Sequence, residues 1–332
     1  MSKLRVVSFG LGPIGVRAAQ LAHARRNLEL VGAIDVDPAK AGKDLGDLFQ
    51  PATKTGITIE ADIGALDRLR PDVVVHCTSS FMPVVEQQVL DICRRGIDIV
   101  SSTEELLVPD LQHPSIAASI DQAAKAGGAT VLGTGVNPGF AMDFMAVVAS
   151  AVTYSVQHVR CVRVVDAGTR RLPLQQKVGA GMTTDEFEAK RATGRFGHIG
   201  MRESVALVAR ALGFEIDRNE QSLEPVLATE ERKTPFLTVS KGAVAGIRNI
   251  GRGSLGSRVL IELDLSMYVG APDPRDEVHL RGDPDVDLIF QGGIAGDSAT
   301  AAILINSIAQ VAAASPGLKT VLDVAPPRST AV

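Results

Sequence analysis

The chain has 332 residues, of which 45% are hydrophobic, and a formal net charge of −4. That length provides for two domains with cores of their own, and the slight negative charge removes any electrostatic reason to expect nucleic acid or an anionic membrane as a partner. The three cysteines, Cys77, Cys93 and Cys161, share no metal-ligand spacing, no apolar run reaches membrane-spanning length, and the N-terminus runs straight into a strand; the expectation is a cytoplasmic α/β protein with reduced thiols, no metal and no signal peptide.

Residues 4–9 form a short β-branched run followed at once by Gly10-Leu11-Gly12-Pro13-Ile14-Gly15, then by a helical pattern from Val16. A second apolar run over residues 28–34 ends in Asp35, about 20 residues past the last glycine. This is the strand, G-x-G-x-x-G turn, helix, strand and terminal acid of a dinucleotide site. Gly10 permits the tight turn, Gly12 lets backbone approach a pyrophosphate, and Gly15 lets helix and strand pack closely. The open N–H groups of the first helical turn then face the phosphates. Gly10, Leu11, Gly12, Pro13, Ile14 and Gly15 are therefore expected to line the cofactor, with Asp35 on the adenosine ribose. An acid there repels a 2′-phosphate and favours NAD over NADP, although Lys40 and Lys43 stand nearby.

Residues 72–77 read as the next buried strand, ending in Thr78 and Ser79. The carboxyl ends of parallel strands face the ligand crevice, so both should lie along the cofactor, while His76, inside the strand, reads as a satisfied core histidine. A helix over 84–95 closes on Gly96, and a strand over 97–101 delivers Glu104 and Glu105 beside Leu106, Leu107 and Val108. These are the candidate catalytic residues, the plain alternative being a solvated pair or Glu105 capping a turn. In an extended segment neighbouring side chains point opposite ways, so only one should face the reaction, and Glu104 is nearer the strand end. A helix over 115–127 and a strand over 130–133 complete the domain. Residues 134–140 then form an irregular hinge in which Asn137 offers donors and acceptors to a nicotinamide or a substrate.

Beyond about residue 154 the pattern changes to half-buried strands of an antiparallel sheet: 156–166, 236–239, 242–247, 257–268 and 287–290. In the first of these, Val159, Cys161, Arg163 and Val165 share one face, and the pattern does not decide which face is buried. Phe140, Met182, Phe196, His198 and Ile199 are candidate substrate-pocket residues, with ordinary core as the alternative for the apolar ones and a structural place as the alternative for His198. A final Ala-rich helix from about 296, capped by Asp297, should return to the first domain. The expected architecture is a Rossmann doubly wound parallel sheet, residues 1–138 completed by about 296–332. It is joined to a second α+β domain on a mostly antiparallel sheet, residues 139–295, for substrate binding and dimerisation.

The segments GLGPIG, IDVDPAKAGKDLGDL, VVVHCTSSF, STEELLVP, GTGVNPGF, KVGAGMTTDEF, GHIGMRES and GGIAGDSATAAILIN resemble, over nearly the whole length, the native amine dehydrogenases. These are relatives of 2,4-diaminopentanoate dehydrogenase that share an N-terminal domain with dihydrodipicolinate reductase. The resemblance implies NAD(P)H-dependent reductive amination of a ketone or aldehyde with ammonia, and the reverse oxidative deamination. It implies a glutamate acid/base after the fifth strand, falling on Glu104 or Glu105, and a homodimer through the second domain's sheet, whose half-covered apolar face needs burial. The His/Lys motif by which dihydrodipicolinate reductases hold a dicarboxylate is not apparent. Two alternatives remain at this point. One is oxidation of a diamino acid such as 2,4-diaminopentanoate, with Lys177 and Arg202 available for its carboxylate. The other is a non-catalytic dinucleotide-binding protein.

Overall fold

The computed structural model describes residues 3–194 and 196–330. Arg195, within the glycine-rich segment ahead of His198, lies outside the described residues. The chain divides into two compact units, residues 1–139 with 295–332 and residues 140–294.

In the first unit, continuous apolar runs form buried parallel strands because both faces must be covered by helices. The elements are β1 (Leu4–Phe9), α1 (Pro13–Ala24), β2 (Leu28–Ile34), β3 (Ile59–Glu60), α2 (Ala65–Leu69), β4 (Val73–His76), α3 (Met82–Arg94), β5 (Asp98–Ser101), α4 (Pro114–Gly127) and β6 (Thr130–Gly133). The unit's sheet runs β3-β2-β1-β4-β5-β6 and is extended at the β6 edge by a short strand after the last helix, Gly317–Lys319. Every pairing is parallel. Strand order reverses between β1 and β4, the switch point at which open α/β sheets bind ligands.

The second unit contains α5 (Phe144–Ala149), β7 (Ser155–Asp166), α6 (Leu172–Lys177), α7 (Thr184–Arg191), α8 (Met201–Leu212), β8 (Arg218–Leu227), β9 (Arg232–Lys233), β10 (Thr238–Val239), β11 (Val244–Leu255), β12 (Arg258–Tyr268), β13 (Arg275–Asp283) and β14 (Val286–Gln291). Its six-stranded sheet has the order β14-β13-β7-β12-β11-β8. The pairings are antiparallel except β7 with β12, which run parallel. The sheet is thus mixed, and β7 is not the purely antiparallel strand its composition suggests. The strands expected over 236–239 and 242–247 are redrawn as the short β10 and the longer β11. β8 and β13 were not anticipated.

The buried face of β7 is the one carrying Val159, Cys161 and Arg163, each at most 2% exposed. Arg163 is tolerated there because its guanidinium donates to Asp276 at 2.6 Å and to the Ile294 carbonyl at 2.7 Å. α8 packs on this sheet at β8, β11 and β12, and α5 packs at β13. The opposite face differs from the apolar one expected. Across it run Arg252–Glu262 (2.9 Å), Arg160–Glu262 (3.3 Å), Arg248–Asp264 (2.7 Å) and His279–Asp287 (2.6 Å), with Val162 and Ile250 enclosed among them. Arg252 and Arg160 stand directly opposite Glu262, and His279 opposite Asp287, in the strand register, while Arg248 reaches Asp264 diagonally; opposite signs at such positions stabilise the pairing.

The final helix, α9 (Gly296–Ala313), and the strand after it, β15 (Gly317–Lys319), return to the first unit, where α9 packs against α1 and under β4, β5 and β6. Its N-cap is Ala295, not Asp297. Asp297 sits in the first turn, where a carboxylate still complements the helix dipole.

Candidate active site

The turn between β1 and α1 is built by its glycines in two different ways. Gly10 has φ +88°, and a Cβ there would lie 2.5 Å from the Cys77 carbonyl oxygen; a Cβ on Gly15 would collide with the Gly10 carbonyl. These two positions are demanded by the fold. Gly12 is not: its φ is −67°, which any residue adopts, and a Cβ would meet nothing within 4 Å. The space it leaves open lies at the start of α1, whose Ncap has no side-chain cap and whose first-turn N–H groups have no intrahelical acceptors. A bare backbone facing open space at a helix N-terminus fits a pyrophosphate.

Asp35, just past β2, fastens this turn. Its carboxylate accepts the N–H of Leu11 at 2.7 Å and of Asp37 at 2.9 Å, and an ammonium contact from Lys40 at 3.0 Å. Burial pushes its pKa up, but those N–H groups and Lys40 outweigh burial and hold it below the ordinary carboxylate value. A carboxylate has about four acceptor positions, so three protein donors leave room for a ribose hydroxyl. Lys40 also reaches Asp37 at 3.5 Å. That lysine's contact with Asp35 was not legible in the sequence.

Thr78 and Ser79, both half-buried, follow β4 on the far side of the switch point, and Thr78 packs where a Gly10 side chain would have to go. Asn137 is half-buried beyond β6, its peptide bond to Pro138 is cis, and the neighbouring Val136 N–H donates to Thr300 at 3.4 Å. Gly10–Gly15, Asp35, Thr78, Ser79, Glu104 and Asn137 all stand beyond the carboxyl ends of adjacent strands of one parallel sheet.

The two glutamates differ. They open a 3₁₀ turn, Glu104–Leu107, not the extended segment expected. Successive side chains on such a turn still diverge, by about 120°. Glu105 is 7% exposed; it accepts the N–H of Met82, the first residue of α3, at 2.6 Å and faces His113 at 3.2 Å. It thereby supplies a cap that Phe81 at the Ncap does not provide. Glu104 is half-buried and acts electrostatically on Cys77, at the switch point. Burial, countered by Ser102 and reinforced by the Glu104 charge, pushes the Cys77 thiol up to about 12, so it is no nucleophile.

In the second unit, Met182 and Phe196 lie partly buried against the core around Phe187, whose ring meets that of Phe196 edge-on at 5.3 Å. Phe140 lies at the other end of the unit's sequence, where its carbonyl accepts the Met145 N–H at 2.9 Å. Ile199 and His198 are partly exposed. The His198 Nε2 is shielded from solvent and meets no partner; burial, with the positive charges of Lys177 and Arg163, pushes its pKa down to about 3. A neutral imidazole with an open polar atom can hydrogen-bond a substrate group. Arg202 lies elsewhere, in an open cleft of about 620 Å³ with Asn219, Ser222 and Arg252.

A glycine turn at the switch point, an anionic carboxylate just past β2 and a glutamate just past β5 are the arrangement of a dinucleotide-dependent oxidoreductase. The model of the 2,4-diaminopentanoate dehydrogenase C-terminal domain matches residues 140–331. The 2,4-diaminopentanoate dehydrogenase of Acetoanaerobium sticklandii is 30% identical, covering 99% of this chain and 95% of that one. The chain belongs to the 2,4-diaminopentanoate dehydrogenase family. An amine dehydrogenase of Streptomyces virginiae is 26% identical, covering 97% and 96% of the two chains. The structure of an amine dehydrogenase from Mycobacterium smegmatis superposes with a TM-score of 0.86 at 25% identity, covering 99% and 98%.

Proposed function

We propose that the chain is an NAD(P)H-dependent amine dehydrogenase that aminates a ketone or aldehyde with ammonia and, in reverse, oxidatively deaminates the amine. The observation that carries this reading is the place of Glu104, half-buried in the 3₁₀ turn just past the carboxyl end of β5, with its charge felt at Cys77 just past the carboxyl end of β4. The nicotinamide supplies the hydride. Glu104, ionised, takes a proton from ammonium, and the ammonia so released attacks the carbonyl; as the C–N bond forms, the proton lost by nitrogen passes to the carbonyl oxygen, giving the carbinolamine. As the acid, Glu104 then gives its proton to the carbinolamine hydroxyl, which leaves as water. The carboxylate then balances the iminium charge while the carbon is reduced. Within the first unit, Thr78, Ser79 and Asn137 are assigned to the cofactor; within the second, Phe140, Met182, Phe196 and Ile199 are the apolar residues assigned to the substrate. The site of action is the cytoplasm, where Cys77, Cys93 and Cys161 remain free thiols. Incubation with NADH and a simple ketone, with and without ammonium, tests the proposal: cofactor oxidation should require both. Ketone-dependent oxidation that ignores ammonium would overturn it.

NAD is the favoured cofactor, supported by the anionic Asp35, with Lys40 moderating the repulsion of a 2′-phosphate. Asp35→Ser should move the ratio of kcat/KM for NADH over NADPH toward NADPH by about tenfold, roughly 1.4 kcal/mol. A wild type that strongly prefers NADPH and is unmoved by the substitution would contradict this.

A second reading, oxidation of a diamino acid, is favoured by the open Nε2 of His198 beside the charges of Lys177 and Arg163. Turnover of 2,4-diaminopentanoate with NAD, lost in His198→Leu while simple amines are still oxidised, would select it.

The working unit is a homodimer through the second unit's sheet, supported by the unlike charges arrayed on the face away from α8. Unlike an apolar interface, such a face should weaken with salt. Light scattering at micromolar concentration should give twice the chain mass in low salt; a monomer there would contradict it.

A further inference from the structure

The mechanism makes no use of His76, which is fully buried at the end of β4 with its ring edge-on to Phe9 at 5.5 Å. Packing alone would favour an apolar residue at such a site. The ring instead joins two segments on the ligand side of the sheet. Its Nδ1 meets Ser101 Oγ at 3.0 Å, Ser101 meets Thr103 Oγ1 at 3.0 Å, and Thr103 donates to the Ser79 carbonyl at 2.8 Å. Its Nε2 meets Thr78 Oγ1 at 3.0 Å and the Gln88 amide at 2.9 Å. Ser101 Oγ also accepts the Thr103 N–H at 3.1 Å.

The Ser79 carbonyl can only accept, so the Thr103 hydroxyl donates to it, and the Ser101 hydroxyl donates to Thr103. On the other side the Thr78 hydroxyl donates to Gln88 Oε1 at 2.8 Å, and that same oxygen lies 2.9 Å from Nε2. Burial drives the ring toward the neutral form, its pKa pushed down to about 4 against the opposing bond from Gln88.

Thr103 immediately precedes Glu104, and Thr78 packs against the cofactor turn at Gly10. We infer that His76 is a positioning residue that, through Ser101 and Thr103 on one side and Thr78 on the other, holds the Glu104 turn in register with the cofactor turn. This rests on Glu104 being the acid/base. Displacing an acid/base by about 1 Å can cost up to about 10² in rate, whereas loss of one hydrogen bond in a merely structural network leaves kcat and its pH profile unchanged.

The test uses His76→Leu, Ser101→Ala, His76→Asn and Glu104→Gln in the full chain. It measures thermal unfolding, NADH affinity by fluorescence, and kcat against pH for ammonia-dependent ketone reduction. His76→Leu and Ser101→Ala should lower kcat by about ten- to a hundredfold and displace the limb of the pH profile that Glu104→Gln abolishes. His76→Asn, which keeps a hydrogen-bonding group for Ser101, should recover most of the rate. If His76→Leu does not fold, Ser101→Ala cuts the same chain beneath an intact ring. Folded variants with wild-type kcat and an undisplaced limb, alongside an inactive Glu104→Gln, would overturn the role of His76 alone. A Glu104→Gln enzyme with full rate and an unchanged limb would overturn both.

Discussion

Glu104→Gln is expected to reduce ammonia-dependent turnover by about 10²–10⁴, the usual weight of general acid–base catalysis, with NADH affinity unchanged. The amide keeps the size of the side chain but can neither take a proton from ammonium nor give one to the leaving hydroxyl. The cofactor turn is untouched, since Asp35 fastens it from β2 and not from the Glu104 turn. Glu105→Gln should behave differently. It weakens the bonds to the Met82 N–H and to His113, so its first effect is on stability, on the order of 1 kcal/mol for a lost cap. Collapse of turnover in Glu105→Gln with near-normal rates in Glu104→Gln would move the acid/base one residue along.

Gly12→Val is expected to leave the protein folded and to abolish cofactor binding. A Cβ at Gly12 meets no atom within 4 Å and the backbone is in an ordinary region, so the thermal midpoint should stay within a few degrees of wild type. The open space beside that Cβ is where a pyrophosphate would lie against the first turn of α1, and branched methyl groups fill it. A loss of NADH affinity of about a hundredfold or more is expected, roughly 2.7 kcal/mol, measured by titration of intrinsic NADH fluorescence. Gly15→Val is the contrasting case: its Cβ would strike the Gly10 carbonyl, so that variant should lose stability first. If Gly12→Val binds NADH normally, the phosphates do not lie on this turn.

Most of the first unit was legible, though β3, α2 and the edge strand β15 carry no pattern that announced them. β1 and β2 fall where their apolar runs lie, and the turn with its acid could be read from spacing because glycine positions and strand ends are local. The second unit was less legible, for a physical reason. β8 (RNEQSLEPVL) and β13 (RDEVHLRGD) place charged residues on the charged face of the sheet, where Glu220 and Glu224 stand opposite Arg252 and Arg248 in register and His279 pairs with Asp287, so neither shows the apolar run or clean alternation that marks a strand. Arg163, a buried arginine on β7, blurred the buried face for the same reason: Asp276, its partner, lies 113 residues along the chain. The difference between Glu104 and Glu105 was invisible locally, because Glu105 is claimed by the N–H of Met82, 23 residues earlier. Asp297 looked like a cap, but the helix begins before it, at Gly296.

The amine dehydrogenase reading is tested most directly by following nitrogen. The purified protein is incubated with NADH, a simple ketone and [¹⁵N]ammonium, and product and cofactor are quantified together by mass spectrometry and absorbance. One [¹⁵N]amine should appear for each NADH consumed, and Glu104→Gln should form it slower by about 10²–10⁴. NADH consumed with an alcohol as the product, or with no label in the product, would contradict the assignment.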